Sequence, residues 1–158
     1  MENSIVEYGK CDDINSWMQL IQKVHTEFPG LETSESIEEH KRTVLKFMDE
    51  QTAVCVKDID KVVGVLLFSR KHNMICCLAV LPEYRRQGIA NLLLQAALGQ
   101  LDNNKLISVS TFREGDPKGI APRKLYKKFG FVEDELIHEF GYPNQKFIRY
   151  PIIPGSSQ

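Results

Sequence analysis

No stretch of this sequence is long and apolar enough to cross a bilayer. The longest uninterrupted apolar run, Met74 to Leu81, falls far short of the ~20 residues a spanning helix needs. Neither sign of charge is in excess. Twenty Lys and Arg stand against 21 Asp and Glu, for a net charge of −1. That balance argues against general binding to nucleic acid or to an anionic membrane surface, and leaves room for a local basic pocket. The opening residues, MENSIVEYGK, have no basic segment ahead of an apolar one. No secretory signal is expected, and a cytoplasmic location is. Cysteine is sparse and unpatterned. Cys11, Cys55, Cys76 and Cys77 form no C-x-x-C and have no histidine cluster beside them, so no metal site is expected. Cys55, Cys76 and Cys77 lie in apolar runs and read as buried reduced thiols. There is no internal repeat, linker or low-complexity tract. Neither G-x-G-x-x-G nor G-x-x-x-x-G-K-[ST] occurs, which makes dinucleotide-binding and P-loop NTPase readings poor.

What is present is the composition of an ordinary globular protein. The 158 residues are 42% hydrophobic and 26% charged, enough for one domain with a core that needs no disulfides. The domain is expected over 1–152, with a mobile tail over 153–158. Ile5 to Tyr8 predicts a first strand. Asp12 or Asp13 then caps a helix whose apolar face is Ile14, Trp17, Met18, Ile21 and Val24. Ser36 with Glu39 reads as the capping box of a second helix bearing Ile37, Val44, Leu45 and Met48. Thr52 to Val56 and Val62 to Phe68 predict an antiparallel hairpin. Met74 to Leu81 is continuously apolar and predicts a central strand buried on both faces.

Ile89 to Leu101 predicts an interior helix and Leu106 to Phe112 another strand. Pro122, Leu125, Tyr126 and Phe129 share one face of a further helix, closed by Gly130. Phe131 to Phe140 and Gln145 to Pro151 predict two last strands around a turn at Gly141-Tyr142-Pro143-Asn144. The order is βααβββαβαββ, an α/β sandwich with a mixed sheet.

The chemistry concentrates where the central strand meets the interior helix, at Pro82-Glu83-Tyr84-Arg85-Arg86-Gln87-Gly88. The first amides of a helix lack internal partners, and the helix dipole places partial positive charge there. Gly88 and Ala90 let an anion approach the backbone closely, and Arg85 and Arg86 add charge. This spacing predicts a phosphate or pyrophosphate site.

These residues resemble a known family. Arg85-Arg86-Gln87-Gly88-Ile89-Ala90 matches the R/Q-x-x-G-x-G/A signature of the GNAT superfamily of N-acetyltransferases. Leu78-Ala79-Val80 with Pro82-Glu83-Tyr84 matches its usual lead-in. Leu125-Tyr126-Lys127-Lys128-Phe129-Gly130-Phe131 resembles the family's L-Y-x-x-x-G-F segment. The resemblance implies a GNAT-like fold, a mixed sheet of six or seven strands flanked by about four helices. It implies acetyl-CoA as cosubstrate, with pyrophosphate on the amides from Arg86 to Asn91 and Gln87, Gly88 and Ala90 nearest. It implies pantetheine along Leu78, Ala79 and Val80, where that strand and Leu106 to Thr111 splay apart.

Tyr126 is implied near the sulfur as general acid. Its acceptor is implied to be a small-molecule or peptide amine, the protein a monomer or homodimer. Two positions depart from the pattern. Gly119 stands seven residues before Tyr126 where many relatives have Asn, and Met74 stands where some have a glutamate base. His72, Glu7, Tyr142 and Tyr150 are the remaining candidate bases. Glu27, Glu32, Glu35, Glu38 and Glu39 read as a solvated face, or as a rim that attracts a cationic amine. Two other classes compete with the enzyme. One is an acyl-CoA-binding sensor without turnover. The other is a phosphate-binding domain unrelated to coenzyme A, which leaves Leu125 to Phe131 unexplained.

Overall fold

The computed structural model describes residues 4–151; the expected mobile tail lies outside the described residues. Seven strands form one sheet: β1 (Glu7–Tyr8), β2 (Ala53–Asp58), β3 (Lys61–Ser69), β4 (Met74–Val80), β5 (Ile107–Phe112), β6 (Val132–Glu139) and β7 (Tyr142–Arg149). Four helices accompany them: α1 (Ile14–Val24), α2 (Ser34–Asp49), α3 (Ile89–Leu98) and α4 (Ile120–Lys128). The expected order βααβββαβαββ is the observed one. In space the strands run β1-β2-β3-β4-β5-β7-β6. All pairs are antiparallel except β4 with β5.

The core is thickest at β3, where Val62 to Phe68, Gly64 included, are buried without a break. A strand buried on both faces needs cover on both. Helices α1 and α3 both pack on β3, and α1 packs with α2. The close approach of α3 explains Gly64, where an added Cβ would come within 2.6 Å of Ile89 Cγ2. Trp17, Leu20, Ile21 and Val24 of α1 are buried, as their helical spacing requires.

Several expected boundaries shift for local reasons. Helix α2 is capped by Thr33, not Ser36. Thr33 is already extended and its hydroxyl accepts from the Ser36 N–H at 3.0 Å, so the helix begins a turn earlier. The β2–β3 connection tightens to a turn at Ile59-Asp60, with Ile59 left-handed at φ 60. The last hairpin turns at Phe140-Gly141, both with positive φ (53 and 74), the signature of a two-residue I′ turn. Tyr142, Pro143 and Asn144 therefore belong to β7 and not to the turn.

The expectation that β4 is buried on both faces is corrected. Cys76 is exposed, and Met74, Cys77 and Leu78 are only half-buried. Cys76 is the extra residue where the pairing with β3 slips, between Cys77 opposite Leu67 and Ile75 opposite Phe68. On its other edge β4 loses β5, as described next.

Candidate active site

Strands β4 and β5 pair only at Met74 and Ser108, with the Ser108 N–H donating to the Asn73 carbonyl at 3.3 Å. Beyond that point β5 remains fully paired to β7 and leaves β4 behind. The sheet opens toward the C-terminal end of β4, which is the splay the family resemblance implied.

The backbone of β4 faces this opening in a definite pattern. The Leu81 N–H donates to the Val63 carbonyl at 2.9 Å. Antiparallel pairs alternate, so Ala79 opposite Val65 forms the next hydrogen-bonded pair. Leu78 and Val80, opposite Leu66 and Gly64, then point their N–H and C=O groups away from β3 and into the opening. Ala79, expected to line the opening with them, turns its main chain to β3.

The strand ends in a 3₁₀ turn, Pro82–Tyr84, and α3 begins at Ile89. Between them the sign of φ alternates: Arg86 is at 65 and Gly88 at 81, while Gln87 and Ile89 are not positive. Backbone of alternating hand gathers N–H groups into a concavity that suits anions. Gly88 is the N-cap of α3, and nothing lies within 4 Å of where its Cβ would stand. The amides of Ile89, Ala90 and Asn91 open the helix and have no intrahelical acceptor. Ile89 offers only its main chain, because its side chain is buried over Gly64.

The charged residues divide. Arg86 is exposed at the turn. Arg85 is engaged internally, with Nε donating to the Val80 carbonyl at 3.0 Å and Nη2 to Glu27 at 3.1 and 3.2 Å. Lys128, which no sequence spacing pointed to, reaches Asn91 Oδ1 at 3.0 Å and brings a second cation to the start of α3. The contact joins the end of α4 to the start of α3, so only the folded chain reveals it.

Tyr126 is 5% exposed and packs edge-on against Phe131, with ring centroids 5.8 Å apart, and against Phe147 at 6.4 Å. Burial, with Cys77 nearby adding to it, pushes its hydroxyl well above the ordinary tyrosine value. It stays protonated at neutral pH and can donate. Burial pushes the thiols of Cys55 and Cys77 up to about 12, so neither is a thiolate at neutral pH, whereas Cys76, expected to be buried with them, is exposed. Gly119 is tightly enclosed: a Cβ there would meet Phe112 Cβ at 3.0 Å and Arg123 Cδ at 3.2 Å. A side chain at this position requires Phe112 and Arg123 to give by a few tenths of an ångström.

The four candidate bases separate by position. Glu7 lies on the far edge strand, paired to Lys57 at 2.9 Å. His72 precedes β4 and Tyr150 follows β7 beside the start of β5, both at the closed end. Tyr142 alone among them reaches the open end, where its hydroxyl donates to Asp116 Oδ2 at 2.7 Å. Two of the five glutamates of the expected acidic rim are also committed, Glu27 to Arg85 and Glu32 to the Gly30 N–H at 2.9 Å.

A family model described as an acetyltransferase (GNAT) domain matches residues 49–133, more than half of the chain. The chain belongs to the GNAT acetyltransferase family. Solved structures agree on the fold. A GNAT-family acetyltransferase from Bacillus cereus superposes with TM-score 0.73 at 19% identity, covering 95% of this chain and 99% of that one. An N-acetyltransferase from Staphylococcus aureus gives TM-score 0.70 at 18% identity, covering 91% and 99%. The PaiA N-acetyltransferase from Thermoplasma acidophilum, solved in complex with coenzyme A, gives 0.68 at 12% identity, covering 94% and 99%. No curated protein sequence gives a significant match. In this GNAT domain no helix among the described residues is long and apolar enough to cross a membrane. Among the same residues no three His, Cys, Asp or Glu are placed to hold a metal ion.

Proposed function

We propose that this GNAT protein is an acetyl-CoA-dependent N-acetyltransferase in which a primary amine attacks the thioester directly. One observation carries the reading. The main-chain groups of Leu78 and Val80 face the β4–β5 opening, the Val80 carbonyl already accepting from Arg85, and that opening leads to the amides at Gly88 and the start of α3, which have no intrahelical acceptor. Such a track fits a ligand with amides in its middle and a pyrophosphate at one end. The coenzyme A held by the Thermoplasma relative has that layout. Pantetheine amides pair with Leu78 and Val80 as a neighbouring strand would. The pyrophosphate takes the amides from Arg86 to Asn91, with Gly88 nearest and Gln87 and Ala90 beside it. Arg85 serves by fixing the Val80 carbonyl from the side of the opening.

The chemistry follows from what these groups supply. An alkyl ammonium has a pKa of ~10.4 and must lose a proton before its nitrogen can attack. The ammonium first gives one proton to solvent. The neutral nitrogen then forms the new C–N bond as the C–S bond breaks, and the departing thiolate takes a proton from Tyr126. The second proton, shed by the acylated nitrogen, returns Tyr126 to its hydroxyl form, leaving amide and thiol. The Val80 N–H stands where it can polarise the thioester carbonyl. Holding both substrates in one groove supplies much of the acceleration.

The test is a calorimetric titration with acetyl-CoA and with ATP, using Gly88→Glu as the control. A micromolar acetyl-CoA site, absent for ATP and lost in Gly88→Glu, is expected. A well-folded wild type that binds no acetyl-CoA overturns the proposal. Acetyl-CoA binding with no amine-dependent release of coenzyme A would make the protein a sensor.

A further inference from the structure

Two buried side-chain amides stand next to each other on β7 and face opposite sides of the sheet. Gln145 faces α4 and is fully engaged: its Oε1 accepts from Arg123 at 2.7 Å and its Nε2 donates to the Asp134 carbonyl at 3.1 Å. Asn144 is 6% exposed, and its Oδ1 is buried with no hydrogen-bond partner among the described residues. A buried carbonyl oxygen without a partner is costly and uncommon in a folded protein, and it calls for a reason.

The register locates it. Phe147, two residues from Gln145, packs on Tyr126, so α4 covers that face and Asn144 lies on the other. On its own face it stands beside Phe112, its partner on β5, and near Tyr142, whose ring meets Phe112 edge-on at 5.6 Å. Met74 opposite Ser108 sets the level of β4 against β5. Phe112 is therefore level with Leu78, within the one-residue slip at Cys76. Asn144 is thus at the height of the cleft-facing groups of Leu78 and Val80, one strand beyond the opening. The connection between α1 and α2 reaches this end as well. Lys118 Nζ donates to the Thr26 carbonyl at 3.3 Å, and the Phe140 ring lies against Gly30.

We infer that Asn144 Oδ1 is the acceptor-orienting group of this protein. It takes a hydrogen bond from a second donor on the amine substrate, an ammonium or hydroxyl a few bonds from the reacting nitrogen. The inference rests on the acetyltransferase reading and sharpens it, selecting polyfunctional amines over simple alkylamines. The reacting nitrogen enters from the face of Asn144, and the proton donor Tyr126 lies toward the other. The opened sheet between β4 and β5 is what lets the two meet.

The probes are 1-butylamine, 4-amino-1-butanol and 1,4-diaminobutane, with coenzyme A release as the readout. Wild type is expected to favour the amino alcohol and the diamine over butylamine at least tenfold in kcat/KM, because a site built around a hydrogen bond discriminates against an analogue that lacks the donor. Asn144→Leu removes that preference, chiefly through KM. It leaves butylamine turnover and acetyl-CoA affinity within about twofold, which a general loss of structure would not. Asn144→Asp keeps the oxygen and adds charge, so it retains the preference and shifts it toward the diamine. If Asn144→Leu does not fold, this second variant decides. An unchanged ratio of diamine to amino alcohol in folded Asn144→Asp overturns the inference. So does a wild type that shows no preference, or a full preference kept by folded Asn144→Leu. A wild type that binds acetyl-CoA and turns over none of the three amines also overturns it while leaving the cosubstrate site standing. Failure to bind acetyl-CoA removes the acetyltransferase reading itself, and this inference with it.

Discussion

Arg85 Nη2 lies 3.1 Å from Glu27 Oε1, and Nε of the same guanidinium donates to the Val80 carbonyl at 3.0 Å. One side chain therefore joins the end of β4 to the connection after α1. The two bonds differ in weight. The pair with Glu27 is solvent-accessible, and such pairs contribute about 0–1 kcal/mol. The bond to Val80 fixes a main-chain group at the proposed thioester. Glu27→Gln is expected to leave Tm within a few degrees of wild type and acetyl-CoA affinity within about twofold. Arg85→Ala is expected to weaken acetyl-CoA about tenfold. Scanning calorimetry and titration calorimetry check both, and equal losses in the two variants would locate the effect in the ion pair instead.

At Gly88 the backbone is left-handed at φ 81 and the space above it is open. Gly88→Ala meets no neighbour, so its cost is conformational, about 1–2 kcal/mol. A lowered Tm and a weaker acetyl-CoA site should appear together. Gly88→Glu adds a carboxylate where the pyrophosphate is proposed to sit, and is expected to abolish binding in a protein that remains folded.

Tyr126→Phe keeps the ring packed on Phe131 and Phe147 and removes only the proton donor. Loss of a positioned acid typically costs 10²–10⁴ in rate. A fall of about that size in kcat is expected, with acetyl-CoA affinity and Tm near wild type. Unchanged kcat would remove Tyr126 from the chemistry. Tyr126→Ala, in contrast, leaves a cavity in the core and is expected to destabilise by about 3–5 kcal/mol.

His40 on α2 has a buried Nε2 without a partner among the described residues, and burial holds its pKa below the ordinary histidine value. The unfolded chain takes up the proton first as pH falls. The stability associated with neutral His40 is complete above about pH 6.5 and is lost as pH drops through the depressed folded value. Tm of wild type should fall between pH 7.5 and pH 5 more steeply than Tm of His40→Leu. Parallel curves would show that this histidine is not the titrating group.

Read residue by residue, the sequence was most legible where a local rule acts alone. The helical spacing of Trp17, Ile21 and Val24 put them in the core, and they are buried there. Gly88 ahead of an apolar run marked the start of α3. The motifs around Arg85 to Ala90 and Leu125 to Phe131 pointed to the family to which the chain belongs. Boundaries were less legible wherever two local signals competed. Ser36 with Glu39 looked like a cap, but Thr33 supplied an earlier one. Asn144 beside Pro143 looked like a turn, but Phe140 and Gly141 had already made it.

By itself the sequence determined the elements, their order, the glycine turn ahead of α3 and the family, because each depends on residues near one another in the chain. Only the tertiary structure decided which groups share the site. The opening between β4 and β5 exists because β5 is held by β7 and released by β4 beyond Ser108. That same pairing turns Leu78 and Val80 toward the cleft and Ala79 away from it. The contacts of Arg85 with Glu27, Lys128 with Asn91 and Lys118 with Thr26 join segments 58, 37 and 92 residues apart. The unpartnered oxygen of Asn144 belongs to the same class of fact. A missing hydrogen bond is visible only once the donors of the described residues have been placed around it.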